Sequence, residues 1–311
     1  MRIVFMGSPV FSVPTLHMLV SDYSIVGVIT QVDKAAGRGR VIAYSPIKDA
    51  AVALALPILQ PEKVRSPESV NAIRKWSPDL IIVSAYGQIL SQQILDIPRM
   101  GSINIHASLL PRWRGAAPIQ AAILHGDDGT GITLMLMDVG LDTGPILTQT
   151  TIQIMDKETA GELSTRLSQL GADQLCQTLP DYIQGKIVPT PQDTLLATYA
   201  PMFKKQDGLL DFSKPAQELA RQVRAFEPWP GSFFFWENRR IAVHSVHVDE
   251  AAEQEIGTLV KRSRNPAVVT PDGVLVLDEV QPAGRKTMTG EAFVNGTPAI
   301  MSENMLQQEA P

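Results

Sequence analysis

Cysteine is almost missing from this chain: Cys176 is the single one in 311 residues. That excludes an internal disulfide and a four-cysteine zinc site, and a lone thiol suits a reducing compartment. Cys176 falls in a leucine-spaced helical stretch, where a buried, inert thiol is expected. A large charge excess is also missing. The net charge is −5; residues 1–204 carry 16 Lys and Arg against 17 Asp and Glu, and residues 205–311 carry 11 against 15. Neither part has the bulk basic footprint of a typical nucleic-acid binder, so any such contact must be local. Two local clusters exist, Lys34, Arg38 and Arg40, and Lys261, Arg262 and Arg264. Long apolar runs are absent as well. The longest, 80–85 and 233–236, fall well short of the ~18 residues of a membrane span. The opening apolar stretch is too short for a signal segment, and Pro9 follows it. Nucleotide loops are lacking too. After the first apolar run comes Gly7-Ser8-Pro9-Val10-Phe11-Ser12, with one glycine and a proline that removes a backbone donor. No Gly-Lys-Ser/Thr occurs. NAD, ATP and GTP are therefore not expected. Neither Ser84 nor Ser108 sits in a Gly-x-Ser-x-Gly elbow, which argues against a serine hydrolase.

What is present is ordinary globular material, 44% hydrophobic and 19% charged. At ~150 residues per domain the length suggests about two domains. The first part alternates short β-rich runs (2–6, 24–30, 57–60, 80–85, 102–106, 131–137) with helical stretches. Ser8-Pro9, Ser45-Pro46 and Ser66-Pro67 predict helix starts, with serine as the cap and proline in the first turn. Residues 31–44 read as a polar loop. The run 80–85 is nearly all apolar, as a parallel strand buried on both faces requires. Such alternation predicts an α/β fold, Rossmann-like, with a mostly parallel sheet and helices on both sides. Ligands of such sheets bind beyond the carboxyl ends of the strands. A helix is expected over 158–184. Residues 189–206 hold three prolines and no clear period, and read as a linker between a first domain (1–188) and a second (207–311). After a helix at 215–226, five short β-runs predict a small OB-like β-barrel.

The densest chemistry lies between Ser102 and Pro145. Asn104 and His106 are two apart on a strand, so they share a face, while Ile103 and Ile105 share the other. Two polar residues at a strand's carboxyl end suit a site better than a core. The loop that follows, 107–118, mixes apolar, basic and aromatic residues, with Arg112 and Arg114 read as surface charge. Asp138 and Asp142 flank Gly140 in a tight loop. No second His or Cys lies near, so a metal is not expected. A carboxylate beside a histidine can instead orient the imidazole and hold a proton in transit. Asp138 reads as a loop cap. His17, His125, His244 and His247 read as structural.

Asn104-x-His106, Ser108-Leu109-Leu110-Pro111 and Asp142 within Asp138-Val-Gly-Leu-Asp-Thr-Gly144 resemble the folate-dependent formyltransferases. The fuller run 108–120 is similar to the branch of that family that acts on charged tRNA. So are Gln31-Val-Asp-Lys-Ala-Ala-Gly-Arg-Gly-Arg40, Phe226-Glu-Pro-Trp-Pro230 and Gln281-Pro-Ala-Gly-Arg-Lys286. Val32 and Ala35 stand where that branch has proline. The resemblance runs from residue 2 to about 290. It implies formyl transfer from 10-formyltetrahydrofolate to the α-amino group of methionyl-initiator tRNA, without a metal. It implies Asn104, His106 and Asp142 as catalytic, Ser108, Leu109, Leu110 and Pro111 as folate-lining, and Lys34, Arg38 and Arg40 as tRNA contacts. A cytoplasmic monomer that meets no membrane is expected. A formyltransferase acting on an amino-sugar or glycinamide nucleotide, a formyl-folate hydrolase and a non-enzymatic RNA-binding protein remain as alternatives.

Overall fold

The protein is described by a computed structural model, covering residues 1–36, 41–250 and 252–301, with 34–36 and 41–43 described by backbone course. Arg38 and Arg40 lie outside the described residues. The chain divides into two compact units: 1–118, 129–153 and 164–201 form one, and 119–128, 154–163 and 202–311 the other.

In the first unit the strands are β1 (Arg2–Gly7), β2 (Ser24–Ile29), β3 (Lys34–Ala36), β4 (Val41–Ala43), β5 (Ile58–Leu59), β6 (Leu80–Ser84), β7 (Ser102–His106), β8 (Arg114–Gly115), β9 (Gly129–Leu136), β10 (Ile146–Gln153) and β11 (Tyr199–Ala200). Seven of them form one sheet in the order β10-β9-β7-β6-β1-β2-β5. The five from β5 to β7 run parallel, and β9 and β10 are antiparallel additions. The helices are α1 (Val13–Asp22), α2 (Pro46–Ala53), α3 (Pro67–Trp76), α4 (Gln92–Leu95), α5 (Pro118–Leu124), which continues into the second unit, and α6 (Ala160–Ile183), which begins there. Strand order reverses between β1 and β6, the crevice where such sheets bind ligands. Val4, Met6, Ile81 and Val83 pack on one face against Val70 and Ile73 of α3 and Ile94 and Leu95 of α4. On β7, Ile105 lies on the face toward α6, where a Cβ added at Gly171 would meet its Cγ2 at 2.9 Å. Asn104 and His106 therefore occupy the opposite face.

Two predicted caps are found. Ser45 accepts from Lys48 N–H at 3.1 Å and Ser66 from Ser69 N–H at 3.3 Å, with Pro46 and Pro67 in the first turns. The first one is not. Pro9 is extended (φ −76°, ψ 171°), a 3-10 turn covers Val10–Ser12, and α1 starts at Val13. The Ser8 hydroxyl instead accepts from Gln31 N–H at 3.1 Å. Within 31–44, read as a loop, β3 and β4 form an antiparallel hairpin. The stretch 189–201 is bound into this unit: Thr190 and Ile146 form a bridge, and β11 pairs with β8. Cys176 is exposed, not buried. Leu163, Leu167, Leu175 and Leu179 make the buried stripe of α6, and the residue after Leu175 turns about 100° away from it.

The second unit holds α7 (Ala216–Phe226), then β12 (Ser232–Trp236), β13 (Arg239–Asp249), β14 (Leu259–Arg262), β15 (Asn265–Thr270), β16 (Gly273–Pro282), β17 (Met288–Thr289) and α8 (Gly290–Gly296). Its sheet is antiparallel throughout, in the order β12-β13-β16-β15-β14, with β17 on β16. Leu219 and Val223 of α7 join Phe212, Phe234, Trp236, Ile241, Leu275 and Phe293 in one core. Phe212 and Phe234 meet edge to face at 5.9 Å. Segments 119–128 and 154–163 are tied in through backbone: Arg221 Nε donates to Leu124 O, Arg224 Nη1 to Glu158 O, and Gly161 N–H to Glu227 O.

Candidate active site

The carboxyl end of β7 delivers two polar side chains into one buried spot. Asn104 is 9% exposed and His106 is 5% exposed. Buried polar groups of this kind persist when they are satisfied. His106 Nε2 lies 2.9 Å from Trp113 O. A carbonyl can only accept, so Nε2 carries the proton of that bond. Nδ1 is left to take up or hold a further proton, and it faces Asp142 Oδ2 at 3.7 Å. Asp142 Oδ1 accepts from Asn104 Nδ2 at 3.4 Å, and Oδ2 accepts from Gly115 N–H at 2.9 Å. One carboxylate thus gathers Asn104, His106 and the backbone of the 112–115 loop.

Asp142 reaches this position because its backbone is left-handed, φ +52°. Asp138 builds the loop around it: its Oδ1 accepts from Gly140 N–H at 3.0 Å and Thr143 Oγ1 at 2.7 Å. Asp138 is the loop cap that its spacing predicts. Gly144 is required by close approach, since a Cβ there would lie 1.8 Å from Leu136 O.

The Ser108–Pro111 stretch begins two residues after His106. Ser108 Oγ donates to Arg112 O at 2.6 Å, and Thr133 Oγ1 donates to Ser108 O at 2.7 Å and accepts from Leu110 N–H at 3.0 Å. Ser108 and Leu110 are buried, Leu109 and Pro111 half-buried, and the Leu110–Pro111 bond is cis. Of the basic residues expected to meet tRNA, Lys34 lies in β3. In the other basic cluster, Arg262 Nε lies 3.9 Å from Asp249 and Arg264 Nη1 lies 3.4 Å from Glu291.

Sequence reading misplaced one residue here. Arg114, taken as surface charge, is 2% exposed. Its Nε and Nη2 donate to Gln192 Oε1 at 3.0 and 2.7 Å. Gln192, in the stretch read as a linker, was not singled out. Its partners lie far away in sequence, and no local pattern marks it. In the core against α3 and α4, burial holds the Tyr86 phenol protonated well above its ordinary range. Two of the other histidines pair with carboxylates: His244 Nδ1 lies 3.0 Å from Glu227, and His247 Nδ1 lies 2.8 Å from Asp278; His125 Nδ1 lies 2.9 Å from Ala121 O. Among the described residues no group of three His, Cys, Asp or Glu side chains could hold a metal ion, and no helix is long and apolar enough to cross a membrane.

Beside a strand-order reversal of the kind where such sheets bind ligands, an amide, an imidazole and a carboxylate converge, groups able to move protons and to donate to an oxyanion. Residues 1–179 match the formyl transferase family, and residues 202–298 match the formyl transferase C-terminal domain. The chain belongs to the formyl transferase family and is a formyl-transferring enzyme. A methionyl-tRNA formyltransferase of Roseiflexus sp. (strain RS-1) is 43% identical over 300 residues, 95% of this chain and 92% of that relative. One of Geobacter sulfurreducens is 45% identical over 299 residues, 95% of this chain and 94% of that relative. Among solved structures, the sugar 3N-formyl transferase WlaRD matches with TM-score 0.65 at 19% identity, over 92% of this chain and 99% of that one. A methionyl-tRNA formyltransferase from Clostridium thermocellum matches with TM-score 0.55 at 16% identity, over 79% and 93%. These structural likenesses bear on the fold: the mixed α/β unit is the one expected from sequence, and the second unit, expected as an OB-like barrel, is an antiparallel sheet with β12 and β14 at its ends.

Proposed function

We propose that this enzyme transfers the formyl group of 10-formyltetrahydrofolate to the α-amino group of methionyl-initiator tRNA, for translation initiation. The observation that carries the reading is the convergence of Asn104, His106 and Asp142, in a chain more than 40% identical over nearly its whole length to proteins named for that reaction. The neutral amine adds its lone pair to the formyl carbon, and the carbonyl oxygen becomes an oxyanion. The second N–H of the Asn104 amide is the donor for it; one such preorganised donor is worth ~3–4 kcal/mol. The bond from the formyl carbon to the folate nitrogen then breaks. The proton lost by the amine passes to that nitrogen, with His106 Nδ1 as relay and Asp142 stabilising the imidazolium formed in transit.

Ser108, Leu109, Leu110 and Pro111 are assigned to the wall of the folate site, and Lys34, Arg38 and Arg40 to the tRNA acceptor end. Residues 1–188 form the catalytic domain in this reading, 189–206 connect it, and 207–311 help to hold tRNA. A cytoplasmic location follows from the acceptor, since charged initiator tRNA is made and used there; a monomer is the assembly state of this reading.

The test is tetrahydrofolate release from 10-formyltetrahydrofolate, with and without charged initiator tRNA. Fast release only with the tRNA is expected. Release without any amine would mean a hydrolase, and release only with amino-sugar nucleotides would move the enzyme to another branch. Arg38→Ala is expected to raise KM for tRNA while folate binding stays unchanged; a large folate-binding defect would overturn the assignment of Arg38.

A further inference from the structure

Gln192 connects two things that the catalytic reading leaves separate. Its Oε1 receives two N–H bonds from the buried Arg114 guanidinium, at 3.0 and 2.7 Å. Its Nε2 donates to Asp142 O at 2.8 Å and to Gly144 O at 2.7 Å. The amide has only one allowed orientation. A guanidinium only donates, so oxygen must face Arg114; carbonyls only accept, so nitrogen must face residues 142 and 144. Among the described residues no carboxylate lies within ion-pair distance of Arg114, so the glutamine oxygen is the group that meets its charge. That cation polarises the amide and strengthens the two bonds on its far side.

Both bonds hold carbonyls that follow the left-handed Asp142 Cα (φ +52°), its own and that of Gly144. A non-glycine residue stays in that conformation when its surroundings over-determine it. The side-chain bonds of Asp142 cannot fix its backbone alone, because they depend on where that backbone lies. Arg114 is also anchored independently: its N–H donates to Thr198 O, and β8 pairs with β11. We infer that Gln192 is a positioning residue for Asp142, clamped by Arg114, and that it sets the height of the carboxylate over His106 Nδ1. The inference rests on the formyl-transfer reading for its kinetic consequence, but not for the clamp itself.

Gln192→Glu separates the two halves of the clamp. It keeps an oxygen for Arg114, now as an ion pair, and removes the donors to Asp142 and Gly144. The expected result is an unchanged or raised Tm, KM values for both substrates within twofold of wild type, and kcat lowered about 30- to 100-fold. The size follows from the ~100-fold penalty of a misplacement near 1 Å. In an Asp142→Asn background the same change should cost less than threefold, since Gln192 acts through Asp142. Hydrogen exchange of the 138–145 backbone should quicken in Gln192→Glu and in Gln192→Met, which keeps the volume and loses both halves. A kcat within threefold of wild type, or an equal loss in the Asp142→Asn background, overturns the inference. A wild-type enzyme that formylates nothing would refute the functional reading instead. Loop exchange then decides the clamp by itself: unchanged exchange in both variants removes it, and quickened exchange keeps it.

Discussion

Asp142→Asn isolates the charge of one atom group in the site. The swap keeps shape and volume, and asparagine adopts a left-handed backbone readily, so φ +52° persists. An amide oxygen can still accept from Gly115 N–H, the shortest of the side-chain bonds at 2.9 Å. What is lost is a negative charge 3.7 Å from His106 Nδ1. At an effective dielectric near 20, two unit charges about 4 Å apart interact by about 4 kcal/mol. The amide dipole recovers a part, so the barrier should rise by about 3 kcal/mol, and kcat should fall about 10²-fold or somewhat more. The assay is single-turnover formylation with saturating 10-formyltetrahydrofolate and charged tRNA, alongside a thermal melt. A normal melt with slow chemistry is expected. A variant that folds normally and turns over within threefold of wild type would show that the carboxylate charge does no catalytic work.

Gly144→Ala forces a Cβ against Leu136 O; the loop must move, and both Tm and kcat are expected to drop, whereas normal kinetics would mean the loop can shift freely. Ser66→Ala removes the acceptor of Ser69 N–H and should cost about 1 kcal/mol, read by denaturant unfolding. The carboxyl of Asp79 is held below the ordinary carboxylate range, first by the Arg2 backbone N–H at 2.8 Å and then by Arg99. A depressed folded-state value means stability that is fully present above the ordinary carboxylate range and lost as pH falls through the lowered value. Asp79→Asn should therefore lower Tm at pH 7, and the difference should shrink steadily as pH falls below the ordinary carboxylate range; a pH-independent difference would contradict this.

The parts legible in the sequence are those with a local cause. Ser66 before Pro67 marks a helix start by chemistry confined to four residues. The apolar run at 80–85 has the pattern that a strand buried on both faces requires. Asn104 and His106 needed only the two-residue period. Asp142 was found through its resemblance, not through spacing alone. Other features were illegible because their causes are distant. Ser8 looked like a cap, yet its hydroxyl is taken by Gln31, and Ser12 in turn gives its own proton to Ser84 O. Strand β10, rich in threonine and glutamine, carries its pattern on a half-exposed edge and was not predicted. Arg114 is charged and lies in a stretch that reads as a loop, so burial was the less obvious reading. Gln192 has no period, no neighbouring motif and no unusual residue type; its role exists only once residues 114, 142 and 144 are brought around it.

The interleaving of the two units has a consequence for how a ribosome makes this protein. Leu124, Glu158 and Gly161 belong to the unit whose bulk lies after residue 201, and they bond there to Arg221, Arg224 and Glu227. The nascent chain thus emits two strips of the second unit before the helix α7 that receives them exists. Domains usually fold as units in the order they are synthesised; here the second must wait for its own carboxyl-terminal helix and strands while its early strips stay unpaired. Cleavage at the boundary near residue 201 would not yield two self-sufficient halves. Each product would keep or lack strips that belong to the other, and the loss should show as aggregation of the amino-terminal fragment.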